Sequence, residues 1–264
     1  DRFFNAGIAE CNMMGMAAGF AHTGYIPFAS TFALFGSGRA YEIIRNSIAY
    51  TNTNVKFGLS HSGLSVGEDG GSHQSIEDVA LMREMPNMTV FVPFDPTEME
   101  KAVFAAAEID GPVYIRVARP VCEDITTEDT PFIPGKANIL KEGNDVCIIT
   151  MGLMVPIALK AAEMLEAEGI SAAVVNMHTV KPIDAETILA MNEKCKGIVT
   201  AEEHSVIGGL GSAVAEVLAG HAGAKFERVG IQDKFGKSGK PDELFAAYGL
   251  TAENIVEKCK ATLA

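Results

Sequence analysis

Residues 55–74 read VKFGLSHSGLSVGEDGGSHQ, an apolar segment that runs directly into a glycine-rich polar loop. The first six residues, 55–60, favour a buried β-strand, and the loop has a histidine at each end, His61 and His73. Ligands of open parallel sheets bind beyond the carboxyl ends of the strands, which is where this loop is expected. Glycine lets the backbone approach a ligand closely, and imidazole exchanges protons near neutral pH. The loop is therefore a candidate site for a small polar ligand.

Two other interpretations of the loop stay open. One is a solvent-exposed turn, because connecting loops normally run over the protein surface. The other is a metal site, because four of its residues are potential ligands: His61, Glu68, Asp69 and His73. Their spacing lacks the regular helical or hairpin pattern that directs ligands to one point, which ranks the metal interpretation third.

Helical and strand-like segments alternate on both sides of this loop, as is typical of a parallel sheet with crossover helices. The alternation stops over residues 120–144, where acids and prolines replace the apolar periodicity, and it resumes with a strand predicted over 146–151. We predict an α/β fold of two consecutive three-layer α/β domains, residues 1–119 and 145–264, joined by a linker over 120–144.

Composition excludes several classes of protein. Of 264 residues, 48% are hydrophobic and 21% are charged, which is typical of a globular protein. Lys and Arg number 21 against 34 Asp and Glu, a net charge of −13 with no basic cluster, so we expect binding neither to nucleic acid nor to membranes. No apolar run approaches the length of a membrane-spanning helix, and the five cysteines form no Cys-x-x-Cys pair. We therefore expect reduced thiols and a cytoplasmic location.

Four further side chains stand out by their position. Thr31 and Phe32 follow one predicted strand and Arg119 ends another, so they are expected at the same sheet edge as His61. Glu10 stands near the start of a helix that is otherwise small and apolar. It is either an acid favoured by a first helical turn or a buried carboxyl that holds and passes a proton, and periodicity does not distinguish the two.

The glycines of residues 208–211 (GGLG) precede a predicted helix, and helix N-termini bind anions. A nucleotide-binding fingerprint requires defined glycine spacing directly after a strand, whereas this run lies seven residues beyond Ala201. We predict that these glycines have a structural role.

Several motifs together resemble one enzyme family. They are NAGIAE at 5–10, STF at 30–32, GEDGGSHQ at 67–74, REMPNM at 83–88, PFDPTE at 93–98, VKPID at 180–184 and AEEH at 201–204. The first five resemble the pyrimidine-binding domain of transketolases, and the last two resemble the C-terminal domain of the same family. The likeness spans nearly the whole chain. The GEDG motif followed by His-Gln is specific, while Lys-Pro-Ile-Asp is shared more widely among thiamine-diphosphate enzymes.

This resemblance implies how the chain meets the cofactor thiamine diphosphate. Glu10 takes the place of the family glutamate that hydrogen-bonds a ring nitrogen of the aminopyrimidine. Phe32 and Phe35 are expected to pack against that ring, where aromatic side chains provide both buried area and orientation.

The resemblance also implies the substrate contacts. His73 and Asp69 are expected to face hydroxyl groups of the donor sugar, with His73 assisting proton transfer, so that the implied catalytic residues are Glu10 and His73. His61 and Arg119 are expected to bind the sugar phosphate, for which Arg offers a planar and permanently charged fork.

The sequence departs from the family pattern in three ways. Gly38 stands where many transketolases carry a third aromatic residue, and Tyr41 is near but not at the matching position. The family has a further strand and helix upstream of Glu10, so with no initiator Met at Asp1 we expect residues to be missing there. The family's G-D-G-type motif, which holds Mg²⁺ and the cofactor diphosphate, is absent from this sequence.

The resemblance therefore implies the second polypeptide of a split transketolase. We expect a partner, an N-terminal transketolase subunit, to hold Mg²⁺ and complete an active site that transfers two-carbon ketol units between sugar phosphates. The chain is expected to be inactive by itself and to form homo- or hetero-oligomers. A stripe containing Gly15 and Gly19 is a candidate contact between chains, and packing of this helix on the sheet of its own domain is an equal alternative.

Two alternatives stay open. One is another thiamine-diphosphate enzyme, either similar to deoxyxylulose-phosphate synthase or the β chain of a 2-oxo acid dehydrogenase. The other is a non-catalytic assembly subunit that binds no cofactor.

Overall fold

Two five-stranded sheets form the framework of residues 2–264, the part of the chain that the computed structural model describes. The strands are β1 (Phe28–Ala29), β2 (Lys56–Leu59), β3 (Thr89–Phe91), β4 (Val113–Arg116), β5 (Asn138–Lys141), β6 (Val146–Thr150), β7 (Ala172–Asn176), β8 (Thr179–Lys181), β9 (Gly197–Ser205) and β10 (Lys225–Ile231). The first sheet has the order β1-β2-β4-β3-β8 and the second β10-β9-β6-β7-β5. Strands within each sheet are parallel except β8, which is antiparallel to β3, and β5, which is antiparallel to β7.

Helices connect and cover the strands. They are α1 (Glu10–His22), α2 (Tyr41–Ile43), α3 (Asp78–Glu84), α4 (Pro96–Glu108), α5 (Met154–Ala167), α6 (Ala185–Lys194), α7 (Leu210–Leu218), α8 (Pro241–Ala247) and α9 (Ala252–Leu263). Two π-helical stretches, Leu34–Arg39 and Ile44–Ala49, flank α2, and a 3₁₀-helical segment spans Leu64–Asp69. The predicted α/β fold is therefore confirmed.

Local chemistry explains where these elements form. Every residue of β6 and β7 is buried, as expected for parallel strands that are covered on both faces. Asp95 caps α4 by accepting a hydrogen bond from the backbone nitrogen of Glu98 at 2.8 Å, and Pro96 occupies the first helical turn, where its missing N–H costs nothing. The strand predicted over 146–151 corresponds to β6.

Two strands are absent from the sequence prediction. β5 lies within residues 120–144, the segment predicted as a linker, and β8 follows β7 after only two residues. β8 pairs with β3 through Phe91 and Thr179 and through Val90 and Lys181, so the second half of the chain contributes a strand to the first sheet. Neither strand has an apolar run that would predict it. Each forms through antiparallel pairing at a sheet edge.

Among the described residues, none of the helices is both long and apolar enough to span a membrane.

Candidate active site

The parallel strands of the first sheet bring the candidate side chains to one edge. Phe32 pairs with Ser60 in parallel just beyond β1 and β2, and His61 comes next. Arg119 follows β4, which pairs with β2. Because the carboxyl ends of parallel strands share an edge, the predicted placement of Phe32, His61 and Arg119 is confirmed.

Two phenylalanines and two histidines pack together at this edge. The rings of Phe32 and His61 are stacked, with centroids 3.9 Å apart and an interplanar angle of 17°. Phe35 lies 6.1 Å from Phe32 and meets the His73 ring edge-on at 5.3 Å. Such geometries are the favoured arrangements of aromatic rings. The structure thus places both ends of the loop against the predicted aromatic pair.

Each imidazole of this group is oriented by the serine that precedes it. Nδ1 of His61 lies 2.9 Å from Oγ of Ser60, and Nδ1 of His73 lies 3.0 Å from Oγ of Ser72. Burial lowers the pKa of His61, the Arg119 cation lowers it further, and Asp69 partly opposes them. His61 is therefore neutral at pH 7.

His61 also has an unusual backbone conformation. Its φ is 59°, in the left-handed region that non-glycine residues rarely adopt. Strained residues of this kind concentrate at functional sites, where the surrounding structure holds them in place.

Glu10 is the first residue of α1 and is buried, with 6% of its surface exposed. Nη1 of Arg39 donates a hydrogen bond to Oε2 of Glu10 at 2.9 Å, and the Arg39 guanidinium lies 4.8 Å from the centre of the Phe35 ring. Both properties that the sequence left as alternatives are present, since the carboxyl is buried and stands in a first helical turn. Arg39 links Glu10 to the aromatic group.

Asp69 and Arg119 form an ion pair next to the histidines. Nη1 of Arg119 lies 3.3 Å from Oδ2 of Asp69 and also donates to the carbonyl oxygen of Val66 at 2.5 Å. The two side chains are 42% and 43% exposed, so both keep hydrogen-bonding capacity toward solvent or a ligand. The seven predicted residues form one group, called here the site cluster: Glu10, Phe32, Phe35, His61, Asp69, His73 and Arg119.

Arg39 is a site residue that the sequence reasoning missed. It is one position beyond Gly38, where the third aromatic was expected, and it covers Phe35 in that region. Tyr41 does not fill the position, because its hydroxyl donates to Oε1 of Glu84 at 2.5 Å. The spacing of four residues from Phe35 to Arg39 is a usable signal, since a cation and a ring at that spacing can meet on a helix.

The structure also bears on the other candidate sites. Oε2 and Oε1 of Glu202 accept hydrogen bonds from the backbone nitrogens of Leu210 at 2.7 Å and Gly211 at 2.8 Å. This carboxylate occupies the position that a phosphate would take, so the structural role predicted for residues 208–211 is confirmed. Within residues 2–264 no group of three or more His, Cys, Asp or Glu side chains is arranged to hold a metal ion.

A surface depression of about 530 Å³ lies far along the chain from the site cluster, beside β10 and α9. Its lining includes Arg228 and Lys258 but no member of the site cluster, and Lys258 is paired with Glu227 at 3.0 Å. The chemistry of the site cluster, rather than the size of this depression, identifies the candidate active site.

The fold and the site cluster define a two-domain α/β protein with a candidate ligand site at the carboxyl edge of its first sheet. Residues 1–123 match the family model for the transketolase pyrimidine-binding domain, and residues 135–255 match that for the transketolase C-terminal domain. The chain belongs to the transketolase family, which depends on thiamine diphosphate.

Relatives of similar length include chains that form part of a transketolase. A putative transketolase C-terminal section of Methanocaldococcus jannaschii is 52% identical over 98% of this chain and 82% of the relative. A 6-deoxy-6-sulfo-D-fructose transketolase subunit, SqwH, of Clostridium sp. is 46% identical over 97% of this chain and 79% of the relative. A solved structure described as a split gene transketolase, inactive beta4 tetramer, has a TM-score of 0.94 and 53% identity over 99% of this chain and 84% of that one.

Longer relatives match over only part of their length. A 1-deoxy-D-xylulose-5-phosphate synthase of Symbiobacterium thermophilum is 37% identical over 100% of this chain and 41% of its own length. This similarity shows that the two-domain unit is shared between enzymes of different activity.

Proposed function

We propose that this chain is the subunit of a split transketolase that carries the pyrimidine-binding domain over 1–119 and the C-terminal domain over 145–264. With thiamine diphosphate, it transfers two-carbon ketol units between sugar phosphates, in an active site completed by a partner chain. The observation that carries the proposal is the site cluster itself. A buried carboxylate, two aromatic rings and two oriented imidazoles lie together at one sheet edge.

The residues present fit the ring portion of the cofactor. Glu10 offers a carboxyl to a ring nitrogen, and Phe32 and Phe35 offer half-buried rings against which a heteroaromatic ring packs. When bound, thiamine diphosphate supplies the carbon centre and the electron sink for cleavage of the ketose. The protein supplies position and proton handling.

Proton handling is assigned to Glu10 and His73. Glu10 holds a proton at a carboxyl oxygen and shares it with the ring nitrogen, which requires Arg39 to move aside or share that carboxyl. His73 is half-buried beside Phe35 with Nδ1 on Ser72, so its Nε2 is the atom that exchanges a proton with the donor sugar.

Substrate binding is assigned to the remaining polar members of the cluster. Asp69 accepts hydrogen bonds from sugar hydroxyls, and Arg119 pairs with the terminal phosphate. Burial and the Arg119 cation lower the pKa of His61, which favours a neutral imidazole that donates a hydrogen bond to that phosphate.

The partner is an N-terminal transketolase subunit that holds Mg²⁺ and the cofactor diphosphate. The need for a partner is supported by the solved relative, which is described as an inactive beta4 tetramer. We therefore propose that the present chain also oligomerises and is inactive without its partner.

Reconstitution tests the proposal. The chain is mixed with a partner that carries the diphosphate-binding domain, thiamine diphosphate and Mg²⁺, and transfer from xylulose 5-phosphate to ribose 5-phosphate is measured. Transfer is expected only when all four components are present. Consumption of pyruvate without ketol transfer would favour an enzyme similar to deoxyxylulose-phosphate synthase or the β chain of a 2-oxo acid dehydrogenase. Calorimetry that shows no cofactor binding to the assembled complex would favour a non-catalytic subunit.

A further inference from the structure

The loop that carries Asp69 and His73 rests on the second half of the chain. Glu203, on β9, is 2% exposed, and its Oε1 accepts a hydrogen bond from the backbone nitrogen of Ser65 at 2.6 Å. A Cβ atom placed on Gly63 would lie 2.3 Å from the same oxygen, and the φ of Gly63 is 77°. Only glycine at this position lets the carboxylate pack directly against the loop backbone.

The far end of the loop is fixed in the same way. Gln74, next to His73, donates from Nε2 to the carbonyl oxygen of Lys237 at 2.9 Å and to those of Leu64 and Gly67 at 3.2 Å each. These bonds close the loop on itself and tie it to a segment of the second half. Glu203 provides the carboxyl contact among these attachments.

The two consecutive glutamates on β9 serve different neighbours. Side chains alternate across a strand, and Glu202 caps α7 while Glu203 reaches the loop. Burial raises the pKa of each carboxyl to about 7, with hydrogen bonds and the Arg116 cation acting in the opposite direction. Glu202 is therefore a matched control for Glu203. It is the same residue type, is equally buried and also accepts hydrogen bonds from backbone nitrogens.

We propose that Glu203 is a positioning residue of the candidate active site. Its carboxyl fixes Ser65 and thereby the turn that holds His73 at the aromatic pair and Asp69 beside Arg119. Ser65 is itself buried, so loss of the acceptor leaves its backbone N–H unpaired and releases the turn. What the loop does once positioned rests on the proposed function.

The positioning is tested on the isolated chain by NMR of ¹³C-labelled histidine. Spectra of His61→Gln and His73→Gln assign two of the six histidine signals. Glu203→Leu removes the acceptor and is expected to shift both signals, whereas Glu203→Gln keeps an acceptor oxygen at the same reach and is expected to restore them.

Glu202→Leu is the control. It removes an equally buried acceptor from two backbone nitrogens of α7 and is expected to leave the His61 and His73 signals unchanged. Where Glu203→Leu does not fold, Glu203→Asp replaces it, because the shorter side chain withdraws the carboxylate from Ser65. Unchanged signals in a folded Glu203→Leu or Glu203→Asp chain, or equal shifts in Glu202→Leu, would overturn the proposal.

A second measurement uses the assembled complex with partner, thiamine diphosphate and Mg²⁺. Glu203→Leu is expected to lower kcat/KM for the donor sugar by about tenfold to a hundredfold, since displacement of a site by about 1 Å costs up to that much. Glu203→Gln is expected to recover most of it. If the wild-type complex transfers no ketol units, the proposed function fails, while the histidine spectra still decide the role of Glu203.

Discussion

Two groups of acids, arginines and imidazoles lie close together in this protein and have opposite character. In the site cluster, Asp69 and Arg119 are 42% and 43% exposed and form a single ion pair at 3.3 Å. The second group, called here the junction network, lies between the two halves of the chain. Its members are all at most 4% exposed: Asp78, Tyr114, Arg116, Glu202, Glu203 and His204.

The junction network uses its hydrogen-bonding capacity internally. Asp78 accepts from Oη of Tyr114 at 2.5 Å and from Nε of Arg116 at 2.8 Å, and Arg116 also donates to the carbonyl oxygen of Glu203 at 3.1 Å. The Arg116 cation, with its hydrogen bonds, holds the pKa of Asp78 below its usual value against the effect of burial. Identical chemical groups are thus buried and fully paired at one place and partly exposed to solvent at the other.

The largest expected effect comes from Glu10→Gln. The amide has the shape of the carboxyl but cannot hold its proton, so transfer by the assembled complex should fall by about 10²–10⁴-fold, the usual contribution of a positioned acid–base group. The free energy of unfolding should change by less than about 1 kcal/mol, because the partner Arg39 is half exposed. Stopped-flow assays and urea unfolding measure the two quantities.

Glu98→Gln is the control for that substitution. Glu98 is also buried, at 2% exposed, but it lies on α4 outside the site cluster, where its Oε1 accepts a hydrogen bond from Nδ2 of Asn176 at 2.7 Å. Transfer activity should therefore be retained. Wild-type activity in Glu10→Gln would remove Glu10 from the proposed mechanism.

Arg116→Met and Arg119→Met compare one arginine of the junction network with one of the site cluster, both at the carboxyl end of β4. Arg116→Met leaves Asp78 buried and without its cation, which should lower the free energy of unfolding by about 3–5 kcal/mol. Arg119→Met removes an exposed pair and should lower it by less than about 1 kcal/mol. Urea denaturation gives both values, and equal losses would show that the two groups do not differ as described.

Sequence reasoning found the fold where the signal is local. The apolar run of β6 specifies its own structure. β8 has only three residues and forms because β3 offers an open edge, so nothing in residues 179–181 alone predicts it.

The same limit applies to the site. The strand-end positions of Phe32, His61 and Arg119 follow from the alternation of elements, while the roles of the cluster come from family resemblance. Glu202 and Glu203 are neighbours of one residue type, and only tertiary structure shows that one caps a helix and the other reaches the loop. Sequence periodicity describes the face of a strand, not the partner that covers it.

A smaller effect is expected from pH at the boundary between the two halves. Burial raises the pKa of Glu98 to about 7 from a usual 4.5. Since the folded state holds this proton more tightly than the unfolded state, the stabilisation is full below pH 4.5 and is lost as pH rises through about 7. Between about pH 5 and about pH 8, the free energy of unfolding of the wild type should therefore fall by on the order of 1–3 kcal/mol relative to that of Glu98→Gln.

Urea unfolding at several pH values measures that difference. Glu100→Gln, on the same helix but exposed, is the matched control and should show a much flatter curve. A Glu98 curve as flat as that of Glu100 would contradict a raised pKa in the folded chain.

The smallest effect is expected for the coupling energy between Glu10 and Arg39. Its size shows whether this pair resembles the exposed pair of the site cluster or the buried pair of the junction network. A double-mutant cycle of Glu10→Gln and Arg39→Ala in urea should give a coupling energy below about 1 kcal/mol, because Arg39 is 53% exposed. The matching cycle of Asp78→Asn and Arg116→Met should give a coupling several times larger, because neither partner is solvated. A weak coupling means that a ligand ring nitrogen can take the carboxyl from Arg39 at little cost. A coupling as strong as that of the buried pair would instead make Glu10 part of the fold's internal support, and the carboxyl would then be unavailable for the chemistry proposed for it.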